Sequence, residues 1–402
     1  MQKSQLLILG NGFDVHCGLR STYKDFFRSA ILDTNGKRFG LKQLQAEVSV
    51  FWESLLLEYY KVDKKDDYKW CDIEKIIKDT LFSIFINQSY GGTELWRIAA
   101  ANADANRKPN EIILDIEKNG IALFLLKYCM GFYRHSTIQV IERVEQNLLV
   151  HLFEQVNCLE QRFCKYLKNQ IVNPNNETVQ NEEYIIKAVN LLASLTGFAY
   201  YKFDKIADFV TVESKKYLID VFDNLNNVFI LNFNYTALFE ILEVESPCYY
   251  NNVHGKLCNN TCVNGCDKSN IIFGIDDNLI QAQGESSELR LFSKTYRKML
   301  SADKYVIVLP PHEGNPIEIK FYGHSLSEAD YSYFQSIFDY YDLYKNNNVS
   351  LTFYYSKGFE NYDAVYRLIS VYGKSLTNQE QGKNLIHKLL LENRLHVQEV
   401  KD

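Results

Sequence analysis

Leu6-Leu7-Ile8-Leu9, followed at once by Gly10-Asn11-Gly12, limits the fold more than any other stretch of the chain. Four consecutive apolar residues ending on glycine predict a short strand covered on both faces, the kind found in parallel sheets. The two glycines let the backbone turn sharply and approach a ligand with no Cβ in the way. Beyond the turn, Tyr23, Phe26, Phe27, Ala30 and Ile31 recur at helical spacing. A helix is therefore expected from Thr22, the candidate N-cap, with Asp25 three residues on. Strand, glycine turn and helix together form a common cradle for phosphate or pyrophosphate. The stretch has neither the third glycine of the dinucleotide fingerprint nor the lysine of a P-loop, and a turn with no ligand fits it equally well. If a ligand does lie there, a side chain at Gly12 is expected to obstruct it and spare the fold.

With 402 residues, 46% hydrophobic and 23% charged, the chain suits a globular protein of two or three folding units. A net charge of -6 gives no bulk attraction to nucleic acid or an anionic membrane, so neither is indicated as a partner. The first apolar run is far short of a signal-peptide core, and the longest, Ile121 to Leu126, cannot span a bilayer. Nine cysteines are an odd number with no secreted disulfide spacing, which implies reduced thiols in a cytosol.

Two regions differ in character. From about Leu41 to Asp223 the pattern is helical, with helices expected near Ile73 to Ile84, Ile121 to Phe132, Ile138 to Leu167, Tyr184 to Leu195 and Thr211 to Leu225. Asn169 to Glu183, rich in Asn, reads as an exposed connection. From Val228 onward strands and helices alternate. Strands are expected at Val228 to Leu231, Tyr249 to Val253, Ile271 to Phe273, Tyr305 to Leu309, Ile317 to Tyr322 and Val349 to Tyr354. The intervening helices include Glu288 to Leu300 and Ser327 to Tyr341, and helices from Tyr362 and Asn378 close the chain. The predicted fold is α/β, a doubly wound, mostly parallel sheet of residues 1–40 and 224–402, with residues 41–223 as a large all-helical insertion. Ligands in such sheets bind beyond the carboxyl ends of the strands.

Four of those ends carry unusual polar residues: Gly10-Asn11-Gly12-Phe13-Asp14, Asn232-Phe233-Asn234-Tyr235-Thr236, His254-Gly255, and Gly323-His324-Ser325-Leu326 with Asp330 just beyond. Each alone is accounted for by a turn or a helix cap. An open sheet gathers all four around one crevice.

The succession G-N-G-F-D, G-L-x-[ST]-x-Y-x-D-F, N-F-N-Y-T, H-G and G-H-S-L resembles the AbiH family of bacterial abortive-infection (anti-phage) proteins. The segment Trp70-Cys71-Asp72-Ile73-Glu74 is similar to another stretch of that family. The same order resembles the wider sirtuin-like group, whose Rossmann-type domain holds NAD. The resemblance implies a bacterial cytoplasmic protein that takes NAD, ADP-ribose or a related adenine dinucleotide as ligand or substrate. It further implies that Gly10, Asn11 and Gly12 lie against the pyrophosphate, with Phe13, Asp14, Asn232, Thr236, Gly323, His324 and Asp330 also lining the site. Ser325 would face the adenine-side ribose and Asn234 the nicotinamide ribose, with His254 as base. Breaking the nicotinamide–ribose bond calls for neutral groups that hold the ribose and a near-neutral base that orders the nucleophile. Histidine has an ordinary pKa of about 6.5. Sirtuin-like proteins often carry Asp where this chain has Thr236, so the acid must come from elsewhere, with Asp14 and Asp330 as candidates.

Cys258, Cys262 and Cys266 stand where sirtuins place a zinc ribbon, but without its paired C-x-x-C spacing. Free thiols in a loop are the favoured reading and zinc is not expected. An NAD glycohydrolase-like effector, with a phage-derived trigger and a homo-oligomer as candidate partners, leads the functional readings. A non-catalytic nucleotide-binding sensor is the alternative. An RNA- or DNA-acting toxin comes third, because the charge is acidic and no clear carboxylate or histidine metal site is legible.

Overall fold

The computed structural model describes residues 3–31, 51–53, 55, 73–82, 124–125, 128–129, 148–171, 182–197, 227–241, 249–257, 271–281, 288–300, 308–311, 315–358 and 360–400. They fall in two compact units, one of Met1–Thr22, Cys164–Ile271 and Ala302–Asp402, the other of Tyr23–Phe163 and Ile272–Ser301.

The first unit holds one sheet of six parallel strands: β1 (Ser4–Leu9), β2 (Val228–Asn232), β3 (Tyr249–Asn252), β4 (Ile317–Tyr322), β5 (Val349–Tyr355) and β6 (Leu395–Glu399). Their order is β3-β2-β1-β4-β5-β6, the doubly wound arrangement expected from the alternating pattern. Chain direction across the sheet reverses between β1 and β4. The described helices, in chain order, are α1 (Gly12–His16), α2 (Tyr23–Ile31), α3 (Ile73–Leu81), α4 (Leu148–Ile171), α5 (Glu182–Thr196), α6 (Leu238–Ile241), α7 (Asp277–Gln281), α8 (Lys294–Leu300), α9 (Tyr331–Tyr340), α10 (Tyr362–Ser375) and α11 (Gln379–Leu391).

Successive strand residues point to opposite faces. On one face Leu6, Ile8, Phe229, Leu231, Ile319, Phe321, Leu351 and Phe353 share a core with Phe334, Ile337 and Phe338 of α9 and Leu368, Ile369 and Tyr372 of α10. Each such side chain, fully buried, contributes about 1.5–3 kcal/mol. The opposite face carries Gln5 and Lys320, which meet the end of α5. Lys320 Nζ donates to Gln5 Oε1 at 2.8 Å and to the Leu195 carbonyl at 2.7 Å. Gln5 Nε2 donates to the Thr196 carbonyl at 3.1 Å. The last carbonyls of a helix have no partner within it, so these donors pin α5 onto the central strands. Burial pulls the Lys320 ammonium below its ordinary value, opposed by Glu318.

The second unit is organised around Glu160 of α4. Its carboxylate accepts the Phe273 backbone N–H at 2.6 Å and two Arg297 N–H groups at 2.5 and 2.8 Å. Tyr23, Phe163 and Phe273 pack ring to ring beside it, with centroids 5.4 Å apart. Lys294 of α8 pairs with Glu74 of α3 at 2.9 Å.

Several local expectations need correction. A short helix, α1, begins directly at Gly12, ahead of the helix expected at Thr22. Ile271 to Phe273 is buried but irregular and is followed by a single parallel bridge, Ile275 with Ser293. The helix expected from Glu288 splits at Ser293 into a tight turn, Leu289–Phe292, and α8, where the Ser293 hydroxyl accepts the Tyr296 N–H at 3.1 Å. α4 runs on to Ile171, three residues into the stretch read as a connection. β6 was not expected: α11 ends at Leu391, and Asn393, at φ 53°, turns the chain back into the sheet. The expected helix 211–225, the strand residues Tyr305 to Ile307, Asp72 and both edges of the expected insertion lie outside the described residues.

Candidate active site

Parallel register sets the geometry of the crevice. Asn252, Asn232, Leu9, Tyr322 and Tyr354 stand level across β3, β2, β1, β4 and β5. Two residues beyond that row come His254, Asn234, Asn11, His324 and Ser356. Neighbouring strands are about 4.8 Å apart, so residues from five distant parts of the sequence meet along one edge.

The loop after β2 is held by amides. Asn232 Nδ2 donates to the Thr236 carbonyl at 2.8 Å and lies 2.5 Å from the Tyr250 hydroxyl, while its Oδ1 accepts the Asn234 N–H at 3.1 Å. Asn252 Nδ2 donates to the carbonyls of Asn234 and Thr236 at 2.8 and 2.9 Å. Asn232, expected at the ligand, thus has both ends of its amide engaged with protein. The loop it supports carries Asn234, only 2% exposed, with neither Oδ1 nor Nδ2 hydrogen-bonded. A buried, unsatisfied polar group costs about 1–3 kcal/mol. A fixed backbone thus carries a buried amide with its donor and acceptor both unpaired.

Beside it lies a carboxylate between two histidines. His254 Nε2 is 3.0 Å from Asp330 Oδ1, in ion-pair contact though off the line of a hydrogen bond. His324 Nε2 is 3.3 Å from Asp330 Oδ2. The Leu326 N–H donates to His324 Nδ1 at 2.9 Å, which leaves the proton of the neutral ring on Nε2, facing Asp330. Phe233 meets both imidazoles edge to face, with centroids 5.2 and 4.8 Å away, and Phe334 closes on His324 at 5.0 Å.

Asp14 supplies a second acid. Its carboxylate is buried at the start of α1 and accepts the Thr236 hydroxyl at 2.8 Å and the Tyr184 hydroxyl at 2.8 Å. Burial raises its pKa to about 7, against the lowering effect of the two hydroxyls, Thr236 first. The carboxylate missing from position 236 therefore reaches it through space. Tyr184, on α5, carried no signal in the sequence beyond a helix start.

The glycines serve each other. Gly10 N–H donates to the Tyr322 carbonyl at 2.9 Å, Gly12 N–H to the Gly323 carbonyl at 2.7 Å, and Phe13 N–H to the Gly10 carbonyl at 2.9 Å. A Cβ on Gly12 would stand 2.6 Å from Gly323 Cα, and one on Gly323, at φ +68°, would stand 2.4 Å from Phe13 N. The β1 and β4 loops can lie backbone to backbone only because these positions lack side chains. Of the N–H groups expected at a pyrophosphate, those of Gly10 and Gly12 are thus donated to protein carbonyls.

Among the other expected residues, Asn11 bonds through both ends to Ser21, its Oδ1 accepting the Ser21 hydroxyl at 2.6 Å and its Nδ2 donating to the Ser21 carbonyl at 3.3 Å. Phe13 is buried edge-on to Tyr322, and Ser325 is exposed. On the β5 side, His16 Nδ1 and the Tyr322 hydroxyl both meet Ser356 Oγ, at 3.0 and 2.6 Å, a contact not foreseen from sequence. A small cleft lies beside it, lined by Tyr322, His324, Tyr354 and Asn361. Cys258, Cys262 and Cys266 lie outside the described residues, and among those described no three His, Cys, Asp or Glu side chains are grouped to hold a metal. No described helix is long and apolar enough to cross a membrane.

A family model described as "Bacteriophage abortive infection AbiH" matches residues 6–355. No curated protein and no solved structure gives a match.

Proposed function

The chain belongs to the AbiH family of bacteriophage abortive infection proteins, and on that premise we propose that it acts by binding NAD or a related adenine dinucleotide and cleaving the nicotinamide–ribose bond. The observation that supports this reading is Asn234, a buried amide with an unused donor and an unused acceptor at the end of β2. A ribose diol offers a donor and an acceptor in return, which would end the cost of leaving that amide unsatisfied. Cleavage breaks the bond between ribose C1′ and the pyridinium nitrogen, whose charge the departing electron pair neutralises. A water oxygen adds at C1′, and His254 takes the water's proton. Asn234 holds the sugar while charge develops on it, and Asp330 beside His254 stabilises the imidazolium that forms.

Incubation of the purified protein with NAD, with nicotinamide release measured, tests the chemistry. Wild-type protein is expected to release nicotinamide, and Asn234→Ala or His254→Ala to abolish the release. In phage-challenged cells, equal protection by all three forms with cellular NAD unchanged would overturn the reading.

A further inference from the structure

Asp330 was expected to contact the ligand, but its carboxylate is 8% exposed and faces two imidazoles, one on each oxygen. His254 comes from the end of β3 and His324 from the end of β4, with Phe233 wedged edge-on against both rings and Tyr333 against His254. In surroundings this apolar a carboxylate keeps its charge only when donors or cations meet it. Two ring nitrogens stand beside it here, His254 Nε2 at 3.0 Å and His324 Nε2 at 3.3 Å. The His324 tautomer is fixed independently, because the Leu326 N–H occupies Nδ1, and Leu326 holds a left-handed φ of 54° to place that donor. Non-glycine residues adopt such angles only under strain, so the surrounding loop must enforce it.

We infer that Asp330 is a positioning residue. Its contact with His254 Nε2, 3.0 Å away, favours the proton on that nitrogen over Nδ1, while His324 Nε2 lies 3.3 Å from the second carboxylate oxygen. The single negative charge of Asp330 balances one imidazolium, that of His254, its nearer neighbour. Among the described residues, the titratable groups shown in contact include the two histidines, Asp330 and the phenol of Tyr333. This assignment rests on the reading of His254 as the base, and its test is separate from turnover.

The test uses the full chain labelled with ¹⁵N at histidine, and two-bond ¹H–¹⁵N spectra recorded across a pH series. In wild-type protein His254 and His324 are both expected as the Nε2–H tautomer when neutral. In Asp330→Asn the titration midpoint of His254 should fall by about one unit or more, as an opposite charge within contact distance is lost. A wild-type His254 found as the Nδ1–H tautomer would overturn the assignment with no variant needed. So would an unchanged midpoint in folded Asp330→Asn. If the wild type releases nicotinamide, Asp330→Asn should lower kcat by about 10²–10⁴-fold with little change in KM. Should the wild type release none, the proposed chemistry fails, while the spectra still decide the role of Asp330.

Discussion

Thr236 Oγ1 lies 2.8 Å from Asp14 Oδ2, a hydrogen bond between residues 222 positions apart in the chain. It joins the loop after β2 to the first turn of α1, and Tyr184 extends the link to α5 at 2.8 Å. A carboxyl group with a pKa near 7, held by two hydroxyls, makes the stability of this arrangement depend on pH.

The sign follows from linkage. Asp14 rises from an ordinary 3.8 to about 7 on folding, so the folded chain binds more protons between those values. Its contribution is fully present below about pH 4 and is lost as pH rises through 7, at up to about 1.4 kcal/mol per pH unit. Asp14→Asn should flatten the pH dependence of the urea midpoint between pH 4.5 and 7.5. Some slope of the same sign will remain, because burial also lifts Glu53 to about 7. A variant with the full wild-type slope would show that Asp14 does not titrate in this window.

Tyr184→Phe removes one of the two hydroxyls that lower the Asp14 pKa. The Asp14 titration should therefore move further up, and the variant should lose about 1 kcal/mol of stability at pH 8 for the missing bond. Urea unfolding of the variant at pH 5 and pH 8 gives both numbers. An equal loss at the two pH values would separate Tyr184 from the Asp14 charge.

Asn234→Ala should separate binding from folding. Removing an amide with no hydrogen-bond partner relieves a cost of about 1–3 kcal/mol, set against the small cavity it leaves. The melting temperature is expected to stay the same or rise, while calorimetry should find dinucleotide binding lost. A large drop in melting temperature would mean the amide is structural.

Gly12→Val is expected to fail as a folded protein, in contrast to the purely local obstruction that the sequence suggests. Its Cβ would meet Gly323 Cα at 2.6 Å and the Gly323 carbonyl oxygen at 2.8 Å, backbone that cannot step aside without parting β1 from β4. Soluble yield and circular dichroism measure this directly. A native spectrum would show that the β1 and β4 loops have room to separate.

Much of this site could be located from sequence because strand periodicity and glycine turns are local. Leu6 to Leu9 before Gly10, and Ile317 to Tyr322 before Gly323, read as buried strands ending in loops, and parallel alternation places such ends on one edge. Asn234, His254, His324 and Asp330 were marked on that ground alone. Which of them face one another is not a local property. Register brings Asn234 and His254 level, loop packing puts Asp330 between two histidines, and α5, far along the chain, delivers Tyr184 to Asp14. The glycines were read as making space for a ligand, when tertiary packing uses that space for another loop. Residue type and spacing determined which polar residues stand at the strand ends of this chain. Long-range packing decided which polar atoms are satisfied by protein and which, at Asn234, are not.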